Sequence, residues 1–361
     1  MIITLLFIMV FFFSLNIGAS GAAATMGIAY GSGAIKKRSN ALVICGIGIF
    51  LGASLGGGKV VKTLGSEIIP ENIITVKIAL IIISSACLCL FIANLAGIPL
   101  STSEVTVGSL VGVGIAFKVL FIKKLSIIVL FWIVTPLIAF LVAYFTDKLV
   151  SKIERKALFL KKGKWPRLLA LLVVLTGFME SVSAGMNNVA NSVGPLVGTG
   201  LISIGQGVFV GGVFVALGAI LLGTRVIETN GKKIINLSLL QGSAVSGVGA
   251  MLVMIASLLG IPVPQTQVTT CSILGVGASV KGKEIWKKSI INRLLKTWVI
   301  SPLGSLVISY YLVKVFIDFE VYWLTSLFIL VGIAYMMGYK KTYSKLPIYK
   351  EKVLFKKQEE M

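Results

Sequence analysis

Apolar runs of about 17–25 residues recur along the whole chain, and that is the length an α-helix needs to cross the hydrocarbon of a bilayer. Ile78–Leu95 is representative: it carries no charge and does not alternate polar with apolar residues, as a barrel strand would. Composition agrees. The chain is 57% hydrophobic and 13% charged, against roughly 25% charged in soluble domains, and its mean hydropathy is +0.99. The predicted fold class is an all-α polytopic membrane protein.

The net charge of +21 would suggest nucleic acid in a soluble protein. Here the cations gather in short loops and at the C-terminal end, as the positive-inside rule requires, and no nucleic-acid partner is implied. Lys148, Lys152, Arg155, Lys156, Lys161, Lys162, Lys164 and Arg167 stand against Glu154 in one connecting segment. That segment and the lysine-rich tail are both expected on the cytoplasmic side. The N-terminal run Met1–Ala24 lacks a basic leader and reads as a retained helix with an extracellular start rather than a cleaved signal. Cys45, Cys87, Cys89 and Cys271 lie in apolar segments at spacings that suit neither a metal nor a disulfide framework, and the absence of histidine excludes imidazole chemistry. No cofactor or metal is expected.

The chain reads as two copies of one unit. Tyr30-Gly31-Ser32-Gly33 matches Val197-Gly198-Thr199-Gly200, and Leu51-Gly52-Ala53 matches Leu217-Gly218-Ala219. Lys59-Val60 and Thr63 match Arg225-Val226 and Thr229. Gly97-Ile98-Pro99-Leu100 matches Gly260-Ile261-Pro262-Val263, and Trp132 to Leu137 matches Trp298 to Leu303. The matches keep their order at a nearly constant offset, which marks a duplication. Charge sets the relation between the copies. Lys36-Lys37-Arg38 corresponds to uncharged Ser203–Gln206, whereas the acidic loop of Glu67 and Glu71 corresponds to Lys232-Lys233. Equivalent loops then face opposite sides, giving inverted-topology repeats of about five crossings each plus a final helix near Val321–Gly338. The division is a first transmembrane repeat over 1–147, a basic cytoplasmic linker over 148–167, a second repeat over 168–317, a final transmembrane helix over 318–338 and a basic cytoplasmic tail over 339–361. Met1–Ile35 and Arg167–Gly200 are too long and too rich in glycine or asparagine for one plain helix, so each is expected to break or fold back. Pro99–Gly114 and Pro262–Gly277 open on proline and polar residues and read as re-entrant or broken segments lining a cavity.

Polar residues inside apolar segments mark a candidate site. Asn187, Asn188, Asn191 and Ser192 cluster in the second copy, with a degraded counterpart around Ser20 in the first. Ser101, Thr102 and Ser103 open one broken segment, and Gln265, Thr266 and Gln267 open the other. Amide NH2 groups, hydroxyls and helix N-termini together make an oxyanion site. Glu104 and Glu180 are the candidate proton carriers, each with a structural reading as an ion-pair partner of Lys59, Lys77 or Arg225. The glycines of Gly46–Gly58 and Gly211–Gly223 read as helix-packing positions.

Gly185–Asn191 with Gly194-Pro195 resembles the second copy of the Gly-Ala-Asn-Asp-x-Ala-Asn signature of the inorganic phosphate transporter family. Gly97–Glu104, and more loosely Gly260–Gln267, is similar to that family's Gly-(Leu/Ile)-Pro-Val-Ser-Thr-Thr-His element. The first Asn-Asp pair falls on Ser20-Gly21, the second on Asn187-Asn188, and the His positions hold Glu104 and Gln267. Both aspartates are thus missing, and in this the chain resembles the bacterial sulfate permease branch. The resemblance implies a bacterial plasma-membrane symporter that imports sulfate or a related oxyanion such as thiosulfate. Physics agrees: phosphate near neutral pH carries a proton that a carboxylate can accept, whereas sulfate carries none and needs donors alone. Losing the aspartates also removes sodium ligands and favours proton coupling. A sodium- or proton-coupled phosphate symporter is the alternative, and an anion channel a more distant one. No nucleophile–base pair or phosphate-binding Gly-Lys-Ser/Thr loop points to an enzyme. The oligomeric state stays open, a homodimer among the candidates.

Overall fold

Long apolar helices joined by short connections make up both halves of the chain in a computed structural model, which describes residues 1–95, 100–224, 227, 237–282 and 289–320. The first half runs through α1 (Ile2–Gly31), α2 (Arg38–Gly56), the short α3 (Gly58–Ser66), α4 (Val76–Leu95), α5 (Thr102–Phe117) and α6 (Ile122–Lys156). The second runs through α7 (Trp165–Gly198), α8 (Ile204–Leu222), α9 (Leu239–Leu258), α10 (Gln265–Lys281) and α11 (Ser289–Phe316). Short 3-10 turns at Glu71–Ile73 and Leu158–Lys161 complete the described elements, and none of these residues forms a strand. Gly97, Ile98, Pro99, Arg225, Val226, Thr229, Lys232, Lys233, the expected helix at Val321–Gly338 and the basic tail lie outside the described residues. The helices α6 and α7 both extend into the expected 148–167 linker.

Among the described residues seven helices are long and apolar enough to cross a membrane: α1, α2, α6, α7, α8, α9 and the Trp298–Phe316 part of α11. The chain is a multi-pass membrane protein. Met1–Tyr310 form one compact unit and Tyr311 onward a second, within which Lys314 and Asp318 pair at 2.8 Å. Caps set several boundaries. Ser203 with Gln206 and Ser238 with Gln241 form capping boxes at the starts of α8 and α9, and Ser101 accepts from the Glu104 N–H at the start of α5.

The expected breaks in Met1–Ile35 and Arg167–Gly200 do not occur: α1 and α7 are continuous helices of 30 and 34 residues. Their small residues serve close helix contact instead. A Cβ at Gly18 would run into the Val215 carbonyl, and one at Gly218 into the Leu15 carbonyl, where α1 crosses α8. The same contact recurs where α7 crosses α2, through Gly185 against Ile49 O and Gly52 against Val182 O. Only glycine admits such approach. A second pairing is likewise repeated: Gly112 of α5 abuts the Leu306 carbonyl of α11, and Gly275 of α10 abuts the Phe140 carbonyl of α6. Each half therefore packs its helices on those of the other.

The segments read as re-entrant or broken carry short helices. The helices α5 and α10 have 16 and 17 residues, about 24–26 Å at 1.5 Å per residue, short of a hydrocarbon core of about 30 Å. The extended stretch before α10 is held by neighbours. Thr63 Oγ1 donates to Gly260 O at 2.6 Å, Lys59 Nζ donates to Leu258 O at 2.9 Å, and Trp132 Nε1 donates to Pro262 O at 2.9 Å. Lys59 thus closes the C-terminal end of α9 rather than pairing with a buried carboxylate.

Candidate functional site

The polar starts of α5 and α10 meet on the asparagine face of α7. Asn187 and Asn191 are four residues apart on a helix and share a face, while Asn188 turns toward α10. All three are buried. Asn187 Oδ1 accepts from Ser103 Oγ and from the Val263 N–H, each at 3.2 Å, and its Nδ2 donates to Ser257 Oγ at 3.0 Å and to Ile261 O at 3.3 Å. Asn188 Oδ1 accepts from Thr102 Oγ1 at 3.4 Å, and its Nδ2 donates to Gln265 Oε1 at 3.0 Å. Asn191 Nδ2 donates to Thr102 Oγ1 at 2.9 Å and Ser103 Oγ at 3.3 Å.

Two polar atoms in this cluster have no partner: Asn191 Oδ1 and Thr266 Oγ1 are buried without a hydrogen bond. Leaving such a group unmade costs about 1–3 kcal/mol, so each is a position where a ligand atom would be welcome. The two ends of an amide have nearly the same shape. Turning Asn191 end for end would aim its NH2 at the vacant direction and set its oxygen against Thr102 and Ser103, which could donate to it only by releasing Asn188 and Asn187. Thr266 can rotate its hydroxyl to donate. Gly21 on α1 is buried, yet a Cβ there would meet nothing within 4 Å, so space remains in the unit beside Ser20.

Glu104 sits where α5, α10 and α11 converge. Its Oε1 accepts from Gln267 Nε2, and its Oε2 accepts from Ser301 Oγ at 2.7 Å. Glu180 lies further back on α7, where Thr269 Oγ1 donates to its Oε1 at 2.7 Å and Gln265 Nε2 reaches its backbone carbonyl at 3.5 Å. Among the described residues no group of three or more Cys, Asp or Glu could hold a metal ion.

Of the residues singled out in the sequence, Asn187, Asn188, Asn191, Thr102, Ser103 and Gln265 form one hydrogen-bonded cluster, with Thr266 beside Gln265. Ser101 caps α5. Ser192 donates to Val189 O at 3.2 Å and accepts from Ser14 at 2.8 Å. Ser20 is half-buried, and its hydroxyl donates to Ile17 O at 3.0 Å within α1. Sequence reasoning missed Ser14, Ser257, Thr269 and Ser301: Ser14, Ser257 and Ser301 are lone hydroxyls in apolar stretches, and Thr269 stands two residues beyond the Gln265–Gln267 cluster, where nothing local separates it from its neighbour Thr270.

A multi-pass helical bundle whose two short helices meet at a buried polar centre defines the architecture of a membrane carrier. The phosphate transporter family pattern matches residues 17–309, and the chain belongs to that family. The sulfate permease CysP of Bacillus subtilis is 54% identical over 329 residues, 91% of each chain. A putative phosphate permease of Methanocaldococcus jannaschii is 27% identical, covering 85% of this chain and 96% of that one. A solved structure, of a sodium-dependent phosphate transporter, has the same fold, with a TM-score of 0.78, 24% identity, and coverage of 87% of this chain and 98% of that one.

Proposed function

We propose that the chain is a secondary active transporter that imports sulfate, with thiosulfate as a close analogue, by proton symport and alternating access. The observation that carries this reading is the hydrogen-bonding character of the buried cluster. Asn187, Asn188, Asn191, Thr102, Ser103, Gln265 and Thr266 supply amides and hydroxyls, and among the described residues no carboxylate is hydrogen-bonded to the three asparagines. A fully ionised oxyanion is met by donors, and the N-terminal ends of α5 and α10 add a favourable dipole. The close likeness to a sulfate permease supports the same substrate.

A proton on Glu104 or Glu180 offsets part of the anion's charge. Moving a dianion inward against a negative-inside potential costs about 2.3 kcal/mol per charge per 100 mV, so at least two coupling cations are needed for net drive. The repeated glycine contacts support a duplicated architecture, and the swapped loop charges support inverted copies in a bacterial plasma membrane with a cytoplasmic linker and tail and an extracellular N-terminus.

Competition uptake tests the substrate. Excess unlabelled sulfate or thiosulfate should suppress labelled sulfate uptake, and excess phosphate should not. Suppression by phosphate alone would favour the phosphate-symporter reading, to which the family and the solved neighbour lend weight. An imposed pH gradient should drive accumulation in proteoliposomes; a channel would only equilibrate the anion with the potential.

A further inference from the structure

We propose that Glu180, with Ser246 and Thr269, is the exchangeable proton site of the transport cycle, and that Gln265 links it to the anion site. This rests on the proton-symport reading and chooses between its two carboxylates.

The geometry separates them. Glu104 has both oxygens engaged, Oε1 by the Gln267 amide and Oε2 by the Ser301 hydroxyl. An amide N–H can only donate, so Oε1 stays an acceptor, and a proton on Oε2 would have to displace the one that Ser301 now donates. As a carboxylate Glu104 thus has both oxygens satisfied and ties α5 to α10 and α11. Glu180 is different. It is fully buried, and its Oε2 has no hydrogen-bond partner. Ser246 Oγ from α9 faces the same carboxyl and is also buried without a hydrogen bond of normal geometry.

These two vacant oxygens complement each other in both protonation states. The serine hydroxyl can donate to the carboxylate or accept from the acid, so adding or removing the proton strands neither group. Gly249 makes the room, since a Cβ there would lie 2.8 Å from Oε1. Four side-chain oxygens with a single carboxylate are few for a hard cation, which seeks a fuller oxygen shell, whereas a proton needs one acceptor. The groups facing Glu180 are Ser246 and Gly249 from α9, Thr269 from α10 and, as the titratable neighbour, the Cys45 thiol of α2.

Gln265 supplies the link. Its Nε2 donates to the Glu180 backbone carbonyl while its Oε1 accepts from Asn188 Nδ2. An anion that draws the Asn188 NH2 releases Gln265 Oε1. The contact between α7 and α10 beside Glu180 then differs between the empty and loaded site, which is the condition for coupling.

The test uses the purified full-length chain in proteoliposomes with labelled sulfate, read in two ways: accumulation driven by an inward proton gradient, and counterflow at equal pH. Glu180→Gln should lower gradient-driven accumulation about tenfold relative to counterflow. Glu104→Gln should change both assays in parallel, and the surface control Glu71→Gln neither. A parallel change in Glu180→Gln, or the split appearing in Glu104→Gln, would overturn the assignment. If Glu180→Gln yields no folded protein, Ser246→Ala decides: it should displace the pH midpoint of gradient-driven uptake, and an unmoved midpoint would overturn the proposal. The underlying reading fails separately. Wild-type counterflow without any response to a proton gradient would refute proton symport, and absence of wild-type counterflow would refute sulfate as substrate.

Discussion

Gln267 donates a hydrogen bond to Glu104, and the two side chains close the two matching Gly-Ile-Pro segments, Gly97–Glu104 and Gly260–Gln267. The pair joins the first turns of α5 and α10, one from each half, directly beside the asparagine face of α7. With Ser301 as the second donor, Glu104 holds three helices at one point.

Glu104→Ala should therefore destabilise the protein more than the loss of one contact suggests. It leaves the Gln267 amide and the Ser301 hydroxyl buried without their acceptor, at about 1–3 kcal/mol each. Thermal unfolding in detergent should show a clear fall in midpoint for Glu104→Ala and a smaller one for Glu104→Gln, which keeps one acceptor oxygen. Equal midpoints for wild type and Glu104→Ala would show that the junction is not a stability element.

The glycine contacts make a contrast within one residue type. Gly52→Val and Gly185→Val place side-chain atoms inside the backbone of the facing helix, and overpacking of this kind costs about 1–3 kcal/mol or more. Both should reduce the monodisperse peak on size-exclusion chromatography. Gly21→Ala projects into open space and should leave that peak unchanged.

Those glycines also explain what the sequence conveyed and what it hid. Apolar runs, the ordered repeat of motifs and the amides of Asn187, Asn188 and Asn191 were enough to read an all-helical membrane fold and the helix carrying the polar centre. The unbroken course of α1 and α7 was not readable. Glycine lowers helix propensity locally, and only the position of the facing backbone shows that Gly18 and Gly185 are contact points rather than breaks. The same holds for single hydroxyls. Ser257 and Ser301 acquire meaning from Asn187 and Glu104, which are distant in sequence, whereas the Ser20 hydroxyl bonds to its own helix.

Outside the membrane-spanning helices, the loop after α3 carries an acid-sensitive tie. Partial burial pushes the Glu67 carboxyl up, but the hydrogen bond from Lys124 and the charges of Lys124 and Lys62 outweigh it and hold the group below its ordinary value of 4.5. Lys124 Nζ stands 2.6 Å from Glu67 Oε2. A depressed carboxyl stabilises the fold above the unfolded value, and that contribution disappears as pH falls through the folded one. Wild-type unfolding midpoints should thus drop below about pH 4.5 more steeply than those of Glu67→Gln. Because the side chain is partly exposed, the difference should be modest and shrink in high salt. Parallel pH profiles would show that the pair contributes nothing.

The most direct measurement of the central claim is the initial rate of labelled sulfate uptake by Asn188→Asp against wild type, at matched amounts of protein in the membrane of a sulfate-transport-deficient host. The substitution keeps the shape of the side chain and replaces an NH2 donor by a carboxylate oxygen. If the buried cluster binds sulfate through donors, uptake should fall about tenfold or more, as expected for losing a hydrogen bond to a charged ligand and adding like-charge repulsion. Undiminished sulfate uptake with unchanged selectivity over phosphate would contradict the donor-site account.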